Sequence, residues 1–161
     1  MKGEALLMAY TPQKYKIVSG IGKSIYPLSA FDDALIDAGI GDYNIVKVSS
    51  ILPAKCVSSQ TIDMPKGSIL YAAYSSIILK NDEHGKAAVA IAIPESKNEN
   101  GVIFECSSFE ETDEPKDKML RMCEVAMKKR KKEISKFEYS IKEAEGENKA
   151  YTVALAAVVM W

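Results

Sequence analysis

Apolar and polar positions alternate through most of the chain, a period-two pattern that predicts a protein built largely of β-strands. The alternation begins at Tyr15-Lys16-Ile17-Val18. It resumes in the β-branched run Tyr43-Asn44-Ile45-Val46-Lys47-Val48, which follows a Gly39-Ile40-Gly41 turn. Further strands are expected over Ser68 to Leu79, Ala87 to Ile93 with Pro94 closing it, Val102 to Ser107, Phe137 to Ile141, and Tyr151 to Trp161. Two of these, Ala87 to Ile93 and Val153 to Trp161, are apolar at both parities, the pattern of strands covered on both faces. Their many alanines leave room for closely packed layers.

Two segments switch to helical spacing. The first runs from Leu28 to Ala38, where Ser29 can cap, Asp32 stands three residues on, and Gly39 can take the left-handed closing position. The second opens near Pro115, behind Asp113 and Glu114, and carries Met119, Met122, Cys123, Ala126 and Met127 at spacings of three and four. Such a stripe packs inward as core and is not a metal site. Lys128-Lys129-Arg130-Lys131-Lys132 follows where cations favour a helix C-terminus, so the run reads as a solvated helix end and not as a nucleic-acid patch. Glu95 to Asn100 is a short polar loop between strands, and no repeat or low-complexity linker divides the chain. The expected fold is therefore a single domain, residues 1–161, of the α+β class: a layered sandwich of mostly antiparallel β-sheets covered by helices, αββα-like.

Composition narrows the function classes. A chain of 161 residues with 47% apolar and 27% charged side chains can bury one ordinary core. With 21 basic against 22 acidic side chains the formal net charge is -1, so no field is set up to attract nucleic acid or an anionic membrane. The partners expected are small molecules or further copies of the chain. Cys56, Cys106 and Cys123 are odd in number and lack Cys-x-x-Cys spacing, which argues against a disulfide framework or a zinc site and for a reducing, cytoplasmic setting. The single histidine, His84, falls in a turn-like polar cluster and reads as a loop residue with no second ligand nearby. No apolar run has signal-peptide or membrane-spanning length. Glu110, Glu111, Asp113 and Glu114 form an acidic loop read as solvated surface.

The most unusual local feature is Val48-Ser49-Ser50-Ile51-Leu52-Pro53, where a strand runs into paired hydroxyls and then meets a proline that cannot continue a ladder. Paired serines at a strand end are ordinarily turn residues bonding the local backbone. Three other segments add context: Leu28-Ser29-Ala30-Phe31-Asp32, Ala38-Gly39-Ile40-Gly41-Asp42-Tyr43-Asn44, and Gly101-Val102-Ile103-Phe104-Glu105. In order and approximate spacing, these segments resemble the pyruvoyl-dependent arginine decarboxylases, and the likeness extends from the strand before Leu28 to Trp161.

The resemblance implies scission between Ser49 and Ser50, giving a β chain of residues 1–49 and an α chain of residues 50–161. The Ser50 hydroxyl would attack the Ser49 carbonyl, the amide would become an ester, and β-elimination would leave dehydroalanine that hydrolyses to a pyruvoyl group. That group would serve as the electron sink in place of pyridoxal phosphate, with no added metal. Asn44 is implied to assist cleavage by stabilising an oxyanion, whereas on its own residues it reads equally as a strand-entry asparagine satisfying a turn. Glu105 is implied to be the proton donor after carbon dioxide leaves, a role needing a carboxyl kept protonated by apolar surroundings; its alternation alone suggests a solvent-facing side chain. Asp32 is implied to recognise the substrate guanidinium, and its alternative reading is a first-turn acid in a capping box. The implied reaction converts L-arginine to agmatine and carbon dioxide, in a homo-oligomer built on trimers whose neighbouring subunits share the pocket. Asp33 and Lys66 depart from the family pattern and bear on substrate preference. The alternatives are a pyruvoyl decarboxylase of another amino acid, or an uncleaved structural or regulatory paralogue.

Overall fold

The computed structural model describes residues 10–109 and 115–161. In chain order its elements are β1 (Lys14–Ser24), α1 (Pro27–Asp37), β2 (Asn44–Lys47), β3 (Ile51–Leu52), β4 (Val57–Ser58), β5 (Ile69–Lys80), β6 (His84–Pro94), β7 (Gly101–Ser108), α2 (Pro115–Lys129), β8 (Ile134–Glu145) and β9 (Tyr151–Met160). One sheet has the order β2-β5-β9-β1-β4 and the other β3-β7-β6-β8. Long neighbours pair antiparallel, while the short edge strands β2 and β4 run parallel to β5 and β1. The two strands with apolar residues at both parities lie at the centres of the two sheets, β9 in one and β6 in the other. Each feeds two cores, as expected for strands covered on both faces. Ala154, Ala156 and Val158 of β9 meet Ala87, Val89 and Ile91 of β6 between the sheets. The opposite face of β9 packs under α1 and that of β6 under α2, completing the four-layer αββα arrangement.

Helix α1 lies closer to its sheet than ordinary side chains permit, because β1 offers glycine beneath it. A Cβ on Gly20 would stand 2.2 Å from the Ala34 carbonyl oxygen, and one on Gly22 2.0 Å from that of Ala30. The helix answers with Ala30, Ala34 and Ala38, all buried. Strand glycine here marks a close backbone approach. This explains why β1 runs on to Ser24, well past the alternation that ends at Val18.

Two expectations for α1 are corrected. Pro27, with its fixed φ and missing N–H, occupies the first turn, so the helix begins before Ser29 and its N-cap is Tyr26, with no side-chain capping bond. Ser29 is therefore inside the helix and Asp32 is beyond the first turn, where no acidic residue stands. Leu28, Asp32 and Ile36 turn away from the sheet, with Leu28 78% and Ile36 59% exposed, since the alanines take the inward face, and Leu35 packs half-buried against the core beneath the helix.

Elsewhere the differences are in length. The strand expected at Phe137 to Ile141 becomes the twelve-residue β8, and His84 opens β6 opposite Glu145 instead of lying in a loop. In α2, Met119, Cys123, Ala126 and Met127 are buried as the stripe predicts, and Met122 is exposed. The acidic residues at positions 110, 111, 113 and 114 lie outside the described residues.

Candidate active site

Between β2 and β3 the chain crosses from one sheet to the other, and the crossing consists of Val48, Ser49 and Ser50. Both sides hold it. The Val48 amide donates to the Ala72 carbonyl on β5 at 3.0 Å, and the Ser50 carbonyl accepts from the Ile103 amide on β7 at 2.9 Å. Beyond Ser50, Ile51 and Leu52 pair antiparallel with Val102 and Gly101, and Pro53 then ends the ladder. The Ile51 amide turns back to the Ser49 carbonyl at 3.1 Å, an i to i+2 bond that closes a three-residue turn centred on Ser50. A donor thus already points at the Ser49 carbonyl oxygen.

The face on which each side chain lies follows from parity. Leu52 and Ile103 both belong to the core between the sheets. Glu105, two residues beyond Ile103, shares that face, and the backbone of Ser50, two residues before Leu52, is bonded to Ile103. Two strand residues advance about 7 Å, which places Ser50 and Glu105 in one neighbourhood at the point where β3 stops covering the edge of β7. Phe104 and Cys106 point the other way, toward α2. Ser49 lines a hollow of about 370 Å³ together with Tyr10, Pro12, Val48, Tyr71 and Met160.

Glu105 is half-buried, and burial pushes its carboxyl pKa above the ordinary glutamate range. The nearby Lys47 charge and the residue's own backbone oppose that rise without cancelling it. The sequence expectation of a solvent-facing carboxylate is therefore corrected, because the alternation places Glu105 with Ile103 on the inter-sheet side. Lys47 is a residue that the sequence reading missed. Its ammonium lies 4.6 Å from the centroid of the Tyr74 ring, and Tyr74 in turn packs at 6.1 Å against Phe31 of α1. The available signal was its parity with Ile45, since a lysine on the core-facing side of a strand calls for a partner.

The other two candidates stand apart from Ser50 within one chain. Asn44 opens β2 while Ser49 follows its far end, and the four strand residues span about 10 Å. The Asn44 side-chain amide donates to the Gly67 carbonyl at 2.7 Å and its backbone amide to the Ser68 carbonyl at 2.9 Å. Asp32 is exposed on the outer face of α1, beside a hollow lined with Leu28, Ser29, Phe31 and Leu35. It makes no hydrogen bond or ion pair to another described residue. Cys56 and Cys123 are free thiols whose pKa values burial pushes up to about 11, which suits packing and not nucleophilic work.

Comparison with known proteins bears on the same residues. Residues 14–161 match the family described as pyruvoyl-dependent arginine decarboxylase. A protein of that name from Methanococcus aeolicus is 37% identical over 153 residues, covering 93% of this chain and 90% of its own length. Those from Methanopyrus kandleri and Thermococcus kodakarensis are each 32% identical, covering 93% and 94% of this chain and 97% and 96% of their own.

Proposed function

The chain belongs to the pyruvoyl-dependent arginine decarboxylase family, and we propose that it cuts itself between Ser49 and Ser50 and then converts L-arginine to agmatine and carbon dioxide. The observation that carries this reading is the crossing itself. Ser50 sits at the centre of a hydrogen-bonded turn, its own carbonyl tied to Ile103, and Glu105 stands two residues beyond Ile103 on β7.

Self-cleavage uses the protein's own atoms and one water molecule. The Ser50 hydroxyl oxygen bonds to the Ser49 carbonyl carbon and gives up its proton, the peptide nitrogen takes a proton and leaves, and an ester replaces the amide. The Ile51 amide is placed to stabilise the negative oxygen that forms in between. Loss of the Ser50 α-proton then expels the Ser49 carboxylate, leaving dehydroalanine. Water adds to its imine form and ammonia departs, so that residue 50 ends as a pyruvoyl group. The site fits such a group: the tie from the residue 50 carbonyl to Ile103 does not depend on Ser49, and Glu105 follows two residues further along the same strand.

A pyruvoyl carbonyl supplies the electron sink for the pair left when carbon dioxide departs. Glu105, whose pKa burial raises, delivers a proton to the substrate α-carbon. Asp32 accepts the guanidinium in paired, charge-assisted hydrogen bonds. Since Asp32 and Asn44 stand away from Ser50 in one chain, a complete pocket takes them from a neighbouring copy, consistent with a homo-oligomer of trimers. The exposed Leu28 and Ile36 beside Asp32 give such a neighbour an apolar surface to cover. The protein works as a single domain in the cytoplasm.

Exchange of Asp32 for asparagine tests the substrate. Removing one partner of a desolvated charge pair costs about 2–5 kcal/mol, so the Michaelis constant for arginine should rise roughly 30-fold or more while self-cleavage proceeds normally. An unchanged constant would show that another amino acid is the substrate, or that Asp32 is surface.

Lys47 supplies a test through pH. Its charge lowers the Glu105 pKa, so Lys47→Met should raise it. Glu105 must be protonated to act, and activity is lost as pH rises through its pKa. The alkaline limb of the kcat profile should therefore move to higher pH in the variant, and a limb that stays put or moves down would remove Glu105 as the titrating group.

A further inference from the structure

The segment between β4 and β5 is bound to the entrance of β2 by a set of contacts that converge on Asn44. Lys66 pairs with Asp42 at 3.1 Å and lies 4.9 Å from the centroid of the Tyr43 ring, and Tyr43 donates its hydroxyl to the Met64 carbonyl at 3.2 Å. The Gly67 amide donates to the Asp42 carbonyl at 2.7 Å. From there the Gly67 carbonyl accepts the Asn44 side-chain amide, also at 2.7 Å. Asp63 takes hydrogen bonds from the indole of Trp161, which follows β9, and from the ammonium of Lys14 on β1, and these tie the same segment to the sheet. Lys66, a departure from the family pattern in the sequence, thus has a structural partner on the strand entrance.

Gly67 is the joint of this arrangement. Its φ of +84° lies in the left-handed region, which glycine enters without penalty and other residues do not. That conformation lets its amide and carbonyl point to Asp42 and Asn44 at once. One N–H of the Asn44 amide is thereby spent on Gly67, which fixes the plane of the amide. The second N–H and the oxygen keep a defined direction. A donor held in this way meets an oxyanion without first having to be ordered.

We infer that Gly67 is a positioning residue for self-cleavage, acting through the Asn44 amide that its carbonyl orients. The inference rests on the proposed part of Asn44 in cutting the Ser49–Ser50 bond, and its test must separate the two. Gly39 provides a matched control. It too has a left-handed φ, +76°, and at both glycines a Cβ would meet nothing within 4 Å, so alanine imposes the same kind of backbone strain and no clash. Only Gly67 touches Asn44.

The experiment follows the rate of self-cleavage of freshly made, purified chain on denaturing gels, alongside thermal melting, for Gly67→Ala, Gly39→Ala, Asn44→Ala and Asn44→Ala with Gly67→Ala. Gly67→Ala should cleave at least fivefold more slowly than the wild type while melting within a few degrees of Gly39→Ala, which should cleave normally. The double variant should be no slower than Asn44→Ala alone, because the two residues act as one unit. If Asn44→Ala is slow but Gly67→Ala matches Gly39→Ala, the inference is overturned and the role of Asn44 survives. Additive slowing in the double variant also overturns it. If Asn44→Ala cleaves at the wild-type rate, the proposed role of Asn44 fails, and the inference with it.

Discussion

Ser50→Ala is expected to give a folded, uncut chain with no decarboxylase activity above background. The loss should be complete and not fractional, because the hydroxyl is a reactant: without a β-heteroatom neither the ester nor the elimination can form, and no carbonyl sink is made. Stability should hardly change. The Ser50 hydroxyl makes no hydrogen bond to another described residue, and the bonds that hold the turn are all main-chain, from Ile51 to Ser49 and from Ile103 to Ser50. Removing one unbonded oxygen from a half-buried position costs within about 0.5 kcal/mol. Ser50→Cys keeps a nucleophile and leaving group, so partial cleavage in that variant would separate chemistry from packing. An alanine variant that still releases carbon dioxide from arginine would end the proposal.

The second large effect concerns Glu105. Glutamine matches the shape of the neutral carboxyl, so Glu105→Gln should fold and cut itself at the normal rate, yet turn over about 10²- to 10⁴-fold more slowly, the usual contribution of a positioned general acid. Maturation and turnover separate because the role proposed for Glu105 is on the substrate carbon and not on the Ser49–Ser50 peptide. The wild-type profile should lose kcat on the alkaline side as pH passes the raised Glu105 pKa, and the glutamine variant should lose that limb. Failure of the variant to cut itself would assign Glu105 to the cleavage step or to the fold.

The layers were legible in the sequence because two strands carry apolar residues at both parities, and only a strand between two covered faces requires that. Ser50 and Glu105 were legible as positions, but not that the fold brings them into one neighbourhood. Their placement depends on β3, a two-residue strand too short to leave a periodic signal, which lays Ser50 against Ile103. The burial of Glu105 was hidden for the same reason, since alternation gives a residue's face without saying which face is covered. In α1 the face that meets the sheet was hidden. Leucine and isoleucine outweigh alanine in any hydrophobicity pattern, yet Gly20 and Gly22 admit only the alanine face to the sheet. The outward Leu28, Asp32 and Ile36 make sense, in the proposed assembly, as a surface for another copy, which no single-chain pattern encodes. The part of Lys66 was equally hidden, because it depends on a loop-to-loop contact with Asp42 and Tyr43.

Intact mass measurement of the purified protein tests the central claim most directly. The account predicts two fragments, residues 1–49 ending in a free carboxylate and residues 50–161 lighter by one ammonia than a fragment beginning with serine. A single unbroken chain of 17.7 kDa after prolonged incubation, or a second fragment that begins with intact serine, would contradict it.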